Sequence, residues 1–165
     1  MKRWISQAPD RSDRRRQTAR GFTLVEILLV VIIIGVLAAA ALPQFVGISR
    51  ESADKTFVSN VKAFAQQFAV YEVQTGSWPA DRPPGQTPPE VGLLLDPNNW
   101  GSGTPIGGEW DWDYNVFGVV AAVSVELPDR TPAQMQEIDA LLDDGDISTG
   151  RFRQRTNGYM WILRE

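Results

Sequence analysis

The sequence predicts an α+β chain. A long amino-terminal helix, apolar enough over its first half to be transmembrane, packs its second half on a small antiparallel β-sheet with a short inserted helix. Three observations predict this. From Phe22 to Leu42 the only polar side chains are Thr23 and Glu26. Ala53, Phe57, Val61, Phe64, Phe68 and Tyr71 then recur at three- and four-residue steps, the stripe of an amphipathic helix. Further on, Val119 to Leu127 alternates with period two, and Asn157-Gly158 marks a hairpin. At 165 residues the chain has room for one ordinary domain and an appendage.

Apolar residues make up 43% of the chain and charged residues 22%, and a mean hydropathy of -0.20 conceals the apolar run. There is no His and no Cys. Disulfide frameworks, thiolate metal sites, imidazole bases and Cys or Ser–His nucleophiles are therefore excluded, while carboxylate chemistry and oxygen-ligated metals are not. Charge is unevenly spread. Residues 1–21 carry Lys2, Arg3, Arg11, Arg14, Arg15, Arg16 and Arg20 against Asp10 and Asp13, whereas the remainder is acidic enough to bring the whole to -4.

The span from Phe22 to Leu42 would reach about 31 Å as a helix, the thickness of a bilayer's hydrocarbon core. A buried core helix that is apolar all round would need a larger protein about it. A cleaved secretory signal would have a shorter apolar core; Ala38–Ala41 imitates its cleavage site, but the helical pattern continues past it. The basic head should remain cytoplasmic and the rest of the chain should face outward. Topology already accounts for the arginines, so no nucleic acid is expected as a partner. Glu26 is the anomaly, because an acid near the middle of a membrane helix costs about 2.5–3.5 kcal/mol. It either snorkels to the cytoplasmic surface or has work to do.

Read together, Arg20-Gly21-Phe22-Thr23-Leu24-Val25-Glu26 and the apolar run resemble the leader-peptidase site of type IV pilins and type II secretion pseudopilins. The resemblance implies leader cleavage between Gly21 and Phe22 by a prepilin peptidase and N-methylation of Phe22. It gives Glu26 a role in assembly, pairing with the new amino terminus of a neighbouring subunit. Pro43 matches the family's proline, where a helix kink is expected. Elementary electrostatics agrees, since a carboxylate in a helix's first turn is favoured by the macrodipole and by a nearby cation. The chain lacks the cysteine pair that closes a carboxyl-terminal loop in many major pilins.

The expected organisation is a basic cytoplasmic leader over residues 1–21, a transmembrane half of the long helix over 22–43, its amphipathic half over 44–75, and an extracytoplasmic loop and sheet domain over 76–165. Pro43 removes one helical hydrogen bond, and Gly76 stops the helix. Residues 76–108 are rich in Pro and Gly and admit only a turn or two of helix, as at Glu90–Leu95. The Val119–Leu127 alternation reads as a half-buried strand. Thr131-Pro132-Ala133-Gln134 reads as a helix start, with Thr as cap, Pro first, and Gln closing a capping box. Met135, Ile138 and Leu142 give that helix its apolar face, and Gly145 ends it. Arg151–Arg155 and Tyr159–Leu163 are expected as the arms of the hairpin.

Two constellations bear on function. Asp139, Asp143, Asp144 and Asp146 crowd four carboxylates into eight residues. They form either a solvated acidic turn or a set of hard oxygen ligands of the kind calcium requires. Trp110 and Trp112 alternate with Glu109, Asp111 and Asp113, so a strand would turn both indoles one way and the acids the other. Burial of the indoles as core is the expectation, and exposed they would suit carbohydrate or metal contact.

The family reading implies a structural subunit of a type IV pilus-like or type II secretion pseudopilus filament, polymerised through its amino-terminal helix and not an enzyme. Its partners would be prepilin peptidase, copies of itself or related subunits, the inner-membrane assembly platform and the lipid bilayer. No cofactor is expected unless the aspartate cluster holds calcium. Its place would be the inner membrane, single-pass, and after assembly a periplasmic or surface filament. The alternative is a membrane-tethered extracytoplasmic module that binds an ion or carbohydrate without polymerising.

Overall fold

The structure, a computed structural model, describes residues 21–92 and 94–165. The basic leader up to Arg20 and the side chain of Pro43, with the kink expected there, lie outside the described residues. The chain divides between Leu42 and Pro43 into two compact units, and a single helical assignment, α1 (Leu24–Thr75), runs through both.

In the first unit, every residue from Gly21 to Ala40 is exposed. Its Leu24–Ala41 stretch is long and apolar enough to cross a membrane, and none of it is buried by the protein itself. A helix apolar all round with nothing packed against it needs lipid or other helices as its solvent.

In the second unit, the remaining turns of α1 lie against a four-stranded antiparallel sheet with strand order β1-β2-β4-β3. The strands are β1 (Glu109–Val116), β2 (Val119–Glu126), β3 (Phe152–Arg155) and β4 (Gly158–Arg164). A 3-10 turn at Pro89–Val91 and a five-residue helix α2 (Pro97–Gly101) interrupt the long loop, and α3 (Pro132–Leu142) is inserted between the two hairpins. Thr131 caps α3 as its sequence requires: its hydroxyl accepts from the Gln134 amide and the Gln134 side chain accepts from its own.

The helical stripe meets the inward face of β1 ring on ring. Phe57 stacks on Trp110 with centroids 5.2 Å apart, and Phe68 stacks on Trp112 at 3.8 Å. Phe64 presents an edge to both Trp110 and Trp100. Trp100, Trp110 and Trp112 are all fully buried, so the indoles of β1 are core, as their alternation suggests. Trp100, carried by α2, joins them from the loop region.

Two details depart from the sequence pattern. Leu127 does not continue the alternation of β2: it sits at φ +49° and is 70% exposed, because the chain turns there and its N–H donates to the Asn157 carbonyl. In the β3–β4 hairpin, Thr156 and Asn157 form the loop, with Asn157 at φ +62°. Gly158 already belongs to β4, where a Cβ would run into the Val125 carbonyl. That glycine is required by close strand approach, not by a turn dihedral.

The free edge of β1 is covered. The Gly85 amide donates to the Trp110 carbonyl at 2.7 Å, Asp81 accepts the Tyr114 amide at 3.0 Å, and the Trp112 indole donates to the Pro79 carbonyl at 3.1 Å. At the other edge, the Gln154 amide of β3 donates to the Ile147 carbonyl at 2.8 Å.

Candidate functional site

Helix α1 begins with a closed hydrogen-bond ring. Thr23 donates to the same Glu26 carboxylate oxygen twice, from its amide at 2.8 Å and from its hydroxyl at 2.9 Å. The Glu26 amide donates back to the Thr23 hydroxyl at 3.2 Å. This is a capping box, Thr-x-x-Glu, and it satisfies donors that a helix start would otherwise leave bare in an apolar setting. The carboxylate remains exposed on the helix surface, available to a second cation. Immediately before the box lie Gly21 and Phe22, the latter 80% exposed. An added Cβ at Gly21 would meet nothing within 4 Å. Among the described residues nothing crowds that position.

The acidic cluster lies where α3 ends. Asp139 is fully buried, and neither carboxylate oxygen has a well-formed hydrogen bond. Burial, followed by the neighbouring charges of Asp144 and Asp143, pushes its pKa up to about 6. One oxygen from each of Asp139, Asp143 and Asp144 lies within 4.8 Å of the others. The loop that follows closes over them. Asp144 accepts the Asp146 amide at 3.0 Å and the Thr149 hydroxyl at 2.9 Å, and Asp143 accepts the Arg151 amide. Gly150, at φ +65°, passes so near both carboxylates that a Cβ would overlap them. Asp146 does not join the cluster: its carboxylate accepts the Ser148 amide at 3.0 Å and hydroxyl at 2.6 Å. Three of the four aspartates therefore converge, and the fourth shapes the loop. Three hard oxygen donors, one of them fully buried beside two like charges, fit the chemistry of a divalent cation such as calcium.

Of the acids that alternate with Trp110 and Trp112, Glu109 is exposed, but the other two are not surface groups, as a half-solvated strand would have them. Asp111 and Asp113 are both buried on the outer face of the sheet, beside Arg155.

Comparison with known proteins places the amino-terminal segment. Residues 16–42 match the family model described as the prokaryotic N-terminal methylation motif. The chain is 36% identical over 66 residues to the type II secretion system core protein G of Klebsiella michiganensis, covering 39% of this chain and 46% of that protein. It is 34% identical over 61 residues to the type IV narrow pilus major component PilA5 of Thermus thermophilus, covering 37% and 53% respectively. With the type IV major pilin PilA of Myxococcus xanthus it shares 48% identity over 44 residues, 27% of this chain and 20% of that pilin. The chain thus spans about half the length, or less, of the curated relatives it matches. No solved structure matches it. The chain carries a prepilin-type N-terminal methylation motif ahead of an α+β domain, and over part of its length it is similar to type IV pilins and type II secretion pseudopilins.

Proposed function

We propose that the protein is a structural subunit of a type IV pilus-like or type II secretion pseudopilus filament, made as a precursor and polymerised through α1. In this reading prepilin peptidase cuts between Gly21 and Phe22 and Phe22 is methylated. The basic leader holds the amino terminus on the cytoplasmic side of the inner membrane, and the domain from Pro43 onward faces out. The observation that carries the reading is the junction itself. The methylation motif abuts a helix whose apolar stretch from Leu24 to Ala41 is not buried by the described residues and holds a single carboxylate, Glu26, in the helix's first turn. Such a helix is stable in lipid, and in a bundle of its own kind once it leaves lipid. There Glu26 is costly unless a cation meets it, and the new amino terminus of an adjacent subunit supplies one. The uncrowded Gly21 supports the same reading, since that glycine serves an enzyme's grip better than the chain's own packing.

Intact-mass and amino-terminal analysis of protein from native membranes tests this. The expected product starts at Phe22 and carries one extra methyl group, and Glu26→Gln is expected to insert and mature but not to enter filaments. A chain still starting at Met1, or one starting beyond Ala38, refutes it; the first outcome favours a tethered binding module.

We further infer that Asp139, Asp143 and Asp144 hold a hard divalent cation, on the strength of the buried Asp139 carboxylate, which meets two like charges and, among the described residues, no well-aligned donor. When bound, the ion would supply positive charge to the three converging carboxylates. Asp139 anchors it from α3, and Asp143 and Asp144 tie it to the loop leading into β3.

A further inference from the structure

The outer face of the sheet carries a second buried charge cluster that the assembly reading does not use. Asp111 and Asp113 stand two apart on β1, and Arg155 comes from β3, at the opposite edge. The Arg155 side chain reaches past β4 and β2 to place Nη2 2.6 Å from Asp111 Oδ2 and Nε 3.2 Å from Asp113 Oδ2. All three side chains are almost wholly buried, at 7%, 2% and 3% exposure. The Ser124 hydroxyl, from β2, donates to the same Asp113 oxygen. Arg155 also donates from Nη1 to the Thr156 carbonyl, and its guanidinium lies 4.6 Å from the Phe117 ring centroid.

The charges do not balance. Two carboxylates face one guanidinium, so the cluster is net negative when both are ionised, and burying an unpaired charge is strongly unfavourable. The other described basic side chain on β3, Arg153, is engaged elsewhere, with the Gly150 carbonyl and Glu165. Asp81 in the loop before β1 and Glu126 on β2 are both acids that disfavour ionisation of Asp111, and β4 contributes the apolar Met160 and Ile162 to this face. One oxygen of the pair, Asp111 Oδ1, is buried and has no donor.

We propose that the Asp111–Asp113 carboxyl pair binds one proton as part of the folded domain, so that the clasp joining the two edges of the sheet is proton-sensitive. With that proton the cluster becomes one acid, one carboxylate and one guanidinium, and its charge is neutral. Burial, then the Asp113 charge, moves Asp111 up to about 7, with Arg155 opposing. Asp113 is also raised by burial, and the Ser124 hydroxyl and Arg155 hold it down. The pair titrates as a unit, and the proton belongs to the pair and not to either carboxyl alone. A group whose folded pKa is raised stabilises the fold fully below its unfolded pKa, near 3.8, and that stability is lost as pH rises toward about 7.

The test is thermal unfolding of the full chain in detergent micelles, followed by tryptophan circular dichroism from about pH 4 to about pH 8, for wild type, Asp111→Asn and Ser124→Ala. Groups common to all three chains cancel in the differences. Asp111→Asn should gain on wild type with rising pH, by up to about tenfold in folding equilibrium constant per pH unit within the window, and the gap should stop growing above it. Ser124→Ala removes a donor that favours the Asp113 carboxylate, so its pH transition should move upward. Should Asp111→Asn not fold, this shift decides alone. Parallel curves for Asp111→Asn and wild type, or a Ser124→Ala curve lowered uniformly with its transition unmoved, would overturn the proposal.

Discussion

Phe68→Ala is the most direct test of how α1 is held on the domain. Phe68 is wholly buried, its ring lies flat on Trp112 with centroids 3.8 Å apart and an interplanar angle of 3°, and it meets Trp100 edge-on at 5.6 Å. Truncation removes apolar area and leaves a cavity between two rigid indoles that cannot collapse into it, so the expected cost is about 3–5 kcal/mol. The lost ring stacking belongs to that figure's upper half, since aromatic pairs are worth about 0.5–1.5 kcal/mol beyond burial. A domain's whole stability is about 5–15 kcal/mol, so the variant should unfold at markedly lower denaturant. The assay is equilibrium urea unfolding of the full chain in detergent, read by tryptophan fluorescence. Val73→Ala is the control: Val73 lies on the same helix but is 80% exposed, and its replacement should stay within about 0.5 kcal/mol. A Phe68→Ala loss below about 1 kcal/mol, or one no larger than the control's, would refute the claim that this face of α1 is domain core.

Two further outcomes follow from the same geometry. Calcium added to the full chain should raise its unfolding temperature, by the equivalent of about 2.7 kcal/mol at a hundredfold excess over Kd; chelator should reverse this and Asp139→Ala should abolish it, whereas an equal response in the variant would remove the cation from the cluster. Thr131→Ala deletes the cap of α3 and should lower stability by about 1 kcal/mol in urea unfolding. No change would mean that Gln134 and Pro132 hold that helix start unaided.

Much of the fold was legible because local chemistry and tertiary packing agree. The stripe Phe57, Val61, Phe64, Phe68 is buried as its spacing requires, and the Thr131–Gln134 box and the Asn157-Gly158 hairpin form where their residues stand. The amino-terminal box at Thr23–Glu26 bears the same signature, though a lone charge in an apolar run reads first as a partner for another chain. What was not legible depends on residues far apart in sequence. Trp100 becomes core only because a five-residue helix turns it toward Phe64 and Phe68. Asp111 and Asp113 look like a solvated strand face until Arg155, forty-odd positions away, lies over them. The aspartate cluster could be recognised by composition but not in membership, because the backbone turn after Gly145 decides that Asp146 caps Ser148, while Asp139 is turned inward by its place on the buried face of α3.

The covered edges of the sheet have a bearing on polymerisation itself. A sheet edge with bare amides and carbonyls is a template for any passing strand, and subunits concentrated in a filament would be exposed to that hazard continuously. Here Gly85 and Asp81 occupy groups along β1, and Ile147 occupies one on the four-residue β3. Strand-to-strand growth of the kind that builds amyloid is thereby obstructed on both flanks. In a molecule proposed to join its neighbours through a helix, that arrangement separates two modes of self-association: the apolar rod stays open to its own kind, and the β-domain is closed to it.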